Sequence, residues 1–84
     1  MRYRSVLKVT LFTKAGCHLC EDVEAALAAL QTQYPHKLVT VDITTDEALF
    51  ARYRFTIPVV RVGDVELSAP ITAVQLAQLL ASPK

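Results

Sequence analysis

Cys17 and Cys20 are the only two cysteines of the chain, and they stand where the hydrophobic period changes. Upstream, Leu7, Val9 and Leu11 alternate with Lys8 and Thr10, the period of a half-buried strand. Downstream, Cys20, Val23, Leu27 and Leu30 recur at intervals of three and four, which places them on one face of a helix. Two cysteines scattered at random over this length fall at a C-x-x-C spacing roughly 2% of the time, so the spacing asks for a chemical reason. The chain is thereby constrained to folds in which a strand hands a thiol to a helix N-terminus.

With 84 residues there is room for a single domain spanning 1–84 and none for a second. A domain this small buries only about 60–65% of its unfolded surface, and the hydrophobic fraction of 52% is enough for a core. Nine Lys+Arg face eight Asp+Glu, so there is no broad basic surface for nucleic acid, and Arg2 and Arg4 are too few to form a binding arm. No run approaches the ~20 apolar residues of a membrane span. No apolar segment distinct from the first strand stands near the N-terminus, so neither a secretory leader nor a membrane partner is expected, and a cytoplasmic location is. In a reducing compartment a cysteine pair is redox-active or metal-binding in preference to a permanent staple.

The remaining pattern gives an element order. A strand over Val6–Phe12 and a loop over Thr13–Gly16 precede a helix from Cys17 to about Gln33, stopped by Tyr34-Pro35. A second strand covers Lys37–Ile43. Thr44-x-x-Glu47 fits a capping box for a short helix over Thr45–Tyr53. Ile57–Val62 and Val65–Leu67 form a hairpin around Gly63-Asp64. A second capping box, Thr72-x-x-Gln75 with Ile71 and Leu76 as a hydrophobic staple, opens a last helix that ends at Ala81, before Ser82-Pro83. The first β-α-β unit requires parallel strands, and the closing hairpin makes the sheet mixed.

This β-α-β-α-β-β-α order with C-x-x-C at the first strand-to-helix junction resembles the thioredoxin fold, an α/β architecture with a four-stranded mixed sheet flanked by helices. Thr56-Ile57-Pro58-Val59 resembles the T-[VI]-P-x segment of glutaredoxins, and Lys14 matches a lysine they carry ahead of their motif. The run Leu11–Cys20 is most similar to a family of small bacterial glutaredoxin-like proteins with a C-x-L-C dithiol. The resemblance implies a cis bond at Ile57-Pro58 facing the dithiol and a dithiol–disulfide oxidoreductase of the cytoplasm with no tightly bound cofactor. It further implies glutathione as a co-substrate and, as partner, a disulfide-containing protein or a glutathione mixed disulfide. The chain departs from the family in carrying His18-Leu19 where glutaredoxins have proline and tyrosine, and Ser68-Ala69-Pro70-Ile71 where they have a Gly-Gly and acidic segment that holds glutathione. The second departure favours a protein substrate reduced without glutathione.

The residues supply their own chemistry. The thiolate is the attacking species in disulfide exchange. At the helix N-cap, Cys17 gains free N–H groups and the positive end of the helix dipole, which lower its pKa moderately. Lys14 and protonated His18 add to this, while Glu21 and Asp22 oppose it. Cys20, one turn on and facing the apolar side, is the resolving thiol. Lys14, His18, Ile57 and Pro58 are the candidate substrate-binding residues, the main chain of Ile57 offering strand-like hydrogen bonds. Beside this stand a structural disulfide, whose closed loop is worth only about 2 kcal/mol, and a non-enzymatic metal-binding or carrier module, for which His18 and His36 are the candidate further ligands. His18 is equally readable as an exposed spacer, His36 as a solvated loop residue, and Arg52 and Arg54 as snorkelling at a helix end. Tyr53 and Phe55 read as core or rim packing. A monomer is expected.

Overall fold

The computed structural model describes residues 7–81; Arg2, Arg4, Val6 and Ser82-Pro83 lie outside the described residues. The elements are β1 (Leu7–Thr13), α1 (His18–Ala29), β2 (His36–Asp42), a 3-10 turn at Ile43–Thr45, α2 (Glu47–Tyr53), β3 (Val59–Val62), β4 (Val65–Ser68) and α3 (Ala73–Ala81). Strand order in the sheet is β2-β1-β3-β4, with β1 and β2 parallel and the other pairs antiparallel. The expected element order and mixed four-stranded sheet are both present.

Alternation along the strands divides the core in two. Val9 and Leu11 of β1 and Val60 and Val62 of β3 face α1 and α3, where Val23, Leu27, Leu76, Leu79 and Leu80 close over them. Phe12 and Val59 point to the opposite face, against Ile43 and Tyr53. Phe12 thus puts an apolar side chain on the face of β1 that otherwise carries Lys8 and Thr10: it is the residue that lets α2 pack on the second face. Each such side chain removed from water contributes about 1.5–3 kcal/mol, so the sheet is sandwiched between helices because both of its faces are apolar.

Several local expectations are corrected. Helix α1 ends at Ala29, not near Gln33. The backbone tightens there, with Leu30 N–H bonding to both the Ala26 and Leu27 carbonyls and Gln31 N–H to that of Ala28. The side chain of Gln31 then accepts from His36 N–H at 3.1 Å. His36 is accordingly no solvated loop residue: it opens β2, is only 6% exposed, and sets Nδ1 2.7 Å from the Tyr34 carbonyl.

The box at Thr44-x-x-Glu47 does not form. Asp42 caps the 3-10 turn by accepting from the Thr44 amide and hydroxyl, which holds the Asp42 carboxyl below its usual range. Asp46 caps α2, accepting from Ala48 and Leu49 N–H at 2.8 and 3.2 Å. Aspartate outcompetes threonine because its charged oxygen is the better acceptor at a positive helix end. The second box does form: Thr72 N–H donates to Gln75 Oε1 at 2.8 Å, and Gln75 N–H to Thr72 Oγ1 at 3.1 Å. Strand β3 begins at Val59, two residues later than expected, because Ile57 and Pro58 occupy the bend that leads into it.

Candidate functional site

The parallel and antiparallel registers gather three chain segments at one end of the sheet. Phe12, near the end of β1, pairs with Val59, the first residue of β3, and Val59 pairs with Ser68, the last of β4. The loop carrying Cys17, the Ile57-Pro58 segment and the connection from β4 to α3 therefore share that edge.

Gly16 precedes Cys17 with φ of 81°, the left-handed region that favours glycine, and turns the chain from β1 into α1. Cys17 N–H donates to the Lys14 carbonyl at 3.3 Å, closing that turn. Cys17 then takes the N-cap of α1 in an extended conformation, and its Sγ accepts from Cys20 N–H at 3.1 Å. A sulfur stands where a serine or aspartate oxygen ordinarily caps a helix. Cys20 lies in the first turn with Val23 and Leu27 on the buried face and is itself 2% exposed, whereas Cys17 is half-buried. The two sulfurs form a disulfide, with Cα atoms 5.2 Å apart. The pair is thus asymmetric, Cys17 partly exposed and Cys20 sealed behind it.

The other sequence candidates distribute unevenly. Lys14 and His18 are exposed beside Cys17, and His18 Nδ1 sits 3.7 Å from Glu21 Oε1. The Ile57-Pro58 bond is cis, as the resemblance implied. Pro58 is buried and shares a cleft with Leu19 and Val23 of α1, so it does lie beside the dithiol helix. Ile57 points instead into the cluster of Phe12, Ile43, Tyr53 and Val59. Its N–H already donates to the Tyr53 carbonyl at 3.0 Å, which leaves only its carbonyl for a ligand. Two strand-like hydrogen bonds from Ile57 are therefore reduced to one.

Away from the dithiol, Tyr53 stacks on Phe12 with ring centroids 4.5 Å apart and donates to Glu66 Oε2 at 2.7 Å, where Arg61 also binds. Burial, followed by the Glu66 bond, raises the Tyr53 pKa. Phe55 does not pack in the core: it is 84% exposed, with the Arg54 guanidinium 4.5 Å from its ring. Arg52 lies over the Tyr53 ring at 5.3 Å, as expected of an arginine at a helix end. No group of three or more His, Cys, Asp or Glu side chains arranged to hold a metal occurs among the described residues. No helix among them is long and apolar enough to cross a membrane.

The cleft beside the dithiol helix joins segments far apart in the sequence. Ala69, Pro70 and Ile71 form one wall, opposite Leu19, Asp22 and Val23. Its signal in the sequence is Ser68-Ala69-Pro70-Ile71, a largely apolar stretch leading into α3.

A C-x-x-C disulfide at the first helix N-terminus of a four-stranded mixed sheet, beside a cis-proline segment, defines a thioredoxin-fold dithiol protein. The chain belongs to the family described as "Glutaredoxin-like domain (DUF836)", whose model matches residues 8–82. The crystal structure of target protein XcR50 from X. campestris is similar at 35% identity, covering 89% of this chain and 99% of that one, with a TM-score of 0.76. Protein Ne2328 from Nitrosomonas europaea is similar at 26% identity, with 93% and 95% covered and a TM-score of 0.76. Oxidised thioredoxin O2 from Arabidopsis thaliana shares the fold at 20% identity, with 92% and 74% covered and a TM-score of 0.70.

Proposed function

We propose that this protein is a thiol–disulfide oxidoreductase in which Cys17 attacks and Cys20 resolves. The observation that carries the reading is the asymmetry of the pair: Cys17 is half-buried at a helix N-cap, and Cys20 is 2% exposed one turn behind it. In the reduced protein the Cys17 thiolate attacks one sulfur of a substrate disulfide. A mixed disulfide forms, and the other substrate sulfur leaves and takes up a proton. Cys20 then loses its proton and attacks Cys17 Sγ. The Cys17–Cys20 disulfide forms, and the second substrate sulfur leaves as a thiol. Two electrons and two protons pass from the dithiol to the substrate, and an external thiol or dithiol returns them.

A purely structural staple is the weaker reading, since a loop this short gains little from closure. Lys14 and His18 lie where a substrate approaching Cys17 passes, and Pro58 lies along its path. The substrate class is a disulfide-bearing protein or a mixed disulfide with glutathione; the reaction needs no bound cofactor and no second subunit, and a reducing cytoplasm suits it.

The test is turnover of a mixed disulfide by the wild type, Cys17→Ser and Cys20→Ser. Loss of turnover in Cys17→Ser is expected, together with a mass adduct of substrate on Cys20→Ser. Unchanged turnover in Cys17→Ser overturns the reading.

A further inference from the structure

Beside the dithiol helix lies a cleft of about 290 Å³ between α1 and the chain leading into α3. Its walls are Leu19 and Val23 on one side and Ala69, Pro70 and Ile71 on the other, with Pro58 at its base. Among the described residues, Asp22 is the only ionisable one in the lining. Leu19 sits between the two cysteines in sequence and is 59% exposed, an apolar surface held open next to the reacting sulfurs. The volume falls just below the ~300–1,000 Å³ of clefts that enclose a small-molecule ligand, so it suits a side chain better than a whole molecule.

The N-terminus of α3 borders the same cleft through Ala73, yet it is poorly set up for an anion. Two of the N–H groups that such a terminus would present are taken, Thr72 N–H by Gln75 Oε1 and Gln75 N–H by Thr72 Oγ1. Among the described residues, no lysine, arginine or histidine enters the lining to compensate.

We propose that this cleft is the specificity pocket of the exchange reaction: it takes an apolar side chain flanking the reactive cysteine of a protein substrate and disfavours acidic flanks. The occupant is an extended segment of a disulfide-bearing protein. Its cysteine must reach Cys17, so the neighbouring residue falls beside Leu19 and the Ala69–Ile71 wall. Apolar burial draws that residue in, and Asp22 repels a carboxylate in the same place. Glutathione, which carries two carboxylates and no large apolar side chain, is a poor substrate on both counts. The inference rests on the thiol–disulfide exchange proposed above.

The test uses the full reduced chain and four oxidised probes: peptide disulfides with leucine on both sides of the cysteine, the same peptide with aspartates, glutathione disulfide, and 2-hydroxyethyl disulfide, which is too small to fill the cleft. The expected kcat/KM for the leucine peptide exceeds that for the aspartate peptide and for glutathione disulfide by about tenfold, equal to ~1.4 kcal/mol. Asp22→Lys is expected to narrow the leucine-to-aspartate ratio to about threefold or less. A wild-type ratio below about twofold, with 2-hydroxyethyl disulfide still reduced, overturns the specificity pocket and leaves the exchange reaction standing. A ratio that does not move in Asp22→Lys overturns the role of Asp22. Failure to reduce any of the four probes overturns the exchange reaction and the pocket with it.

Discussion

The backbone N–H of Cys20 donates to the Cys17 sulfur across 3.1 Å. That bond is already in place while the two sulfurs are joined as a disulfide, before any electron moves. It caps the helix with a sulfur, and it points a donor at the atom on which negative charge collects when the disulfide opens. Turning the same helix buries Cys20 against the apolar face, so the geometry that favours charge on Cys17 also hides its partner. In the proposed exchange reaction, the order of attack would follow from how a helix begins, without a separate catalytic base.

The first expectation concerns that charge. In the reduced protein, the rate of Cys17 alkylation followed against pH should show a midpoint below the ~8.5 of an unperturbed thiol. Glu21→Gln removes an acid from the first turn and should lower the midpoint further. A midpoint at or above 8.5 in the Cys20→Ser protein, where only Cys17 is left to react, contradicts the N-cap argument.

A second expectation lies on the other face of the sheet. The Tyr53 pKa is raised by burial and by its bond to Glu66. Below the ordinary value of about 10 the hydroxyl is protonated in both folded and unfolded chains, and its contribution to stability is complete. Above that value the unfolded chain releases the proton while the folded one keeps it. Stability is therefore lost as pH rises from about 10 through the raised folded value. Thermal melts of the wild type should decline over that range, and Tyr53→Phe should decline less steeply. At neutral pH the same substitution should cost about 1–2 kcal/mol, the worth of a hydrogen bond to a carboxylate that keeps Arg61 as its other partner.

Legibility differed by the range of the interaction. The β-α-β-α-β-β-α order and the Cys17/Cys20 address were readable because each rests on a local period or a short spacing; the parallel β1–β2 pair and the β3–β4 hairpin follow from that order, whereas the antiparallel β1–β3 pairing was not legible. The Thr72–Gln75 box was readable for the same reason. His36 was not, since its burial depends on Gln31 and Tyr34 folding back across the turn after α1. The cap of α2 was misplaced because Thr44 and Asp46 both satisfy the local rule and only acceptor strength separates them. The cleft was illegible for a different reason: Leu19, Pro58 and Ile71 belong to three segments that only the sheet register brings to one edge.

The competition at α2 is itself measurable. Asp46→Ala removes the acceptor for two backbone N–H groups and should cost about 0.5–2 kcal/mol in denaturant unfolding. Thr44→Ala removes only a hydroxyl that donates to exposed Asp42 and should cost less than half as much. Equal losses would mean that Thr44 shares the cap after all.

The last expectation joins the core to the site. Leu27 is fully buried and lies on the same face of α1 as Val23 and Cys20, so the helix that presents Cys17 is held down by this residue two turns beyond Cys20. Leu27→Ala should destabilise the chain by about 2–5 kcal/mol, the range for a leucine truncated in a packed core. A domain of this size has only about 5–10 kcal/mol in total, and each kcal/mol shifts the melting midpoint by about 4–8 °C. The midpoint should therefore fall by at least about 8 °C. Disulfide reduction at low temperature should stay near the wild-type rate, because the N-cap geometry is set within the first turn of α1. At temperatures near the lowered midpoint the rate should collapse together with the far-ultraviolet circular dichroism signal. A variant that stays folded but loses turnover at low temperature would show that Leu27 positions the dithiol directly, and that the first turn of α1 does not set its geometry alone.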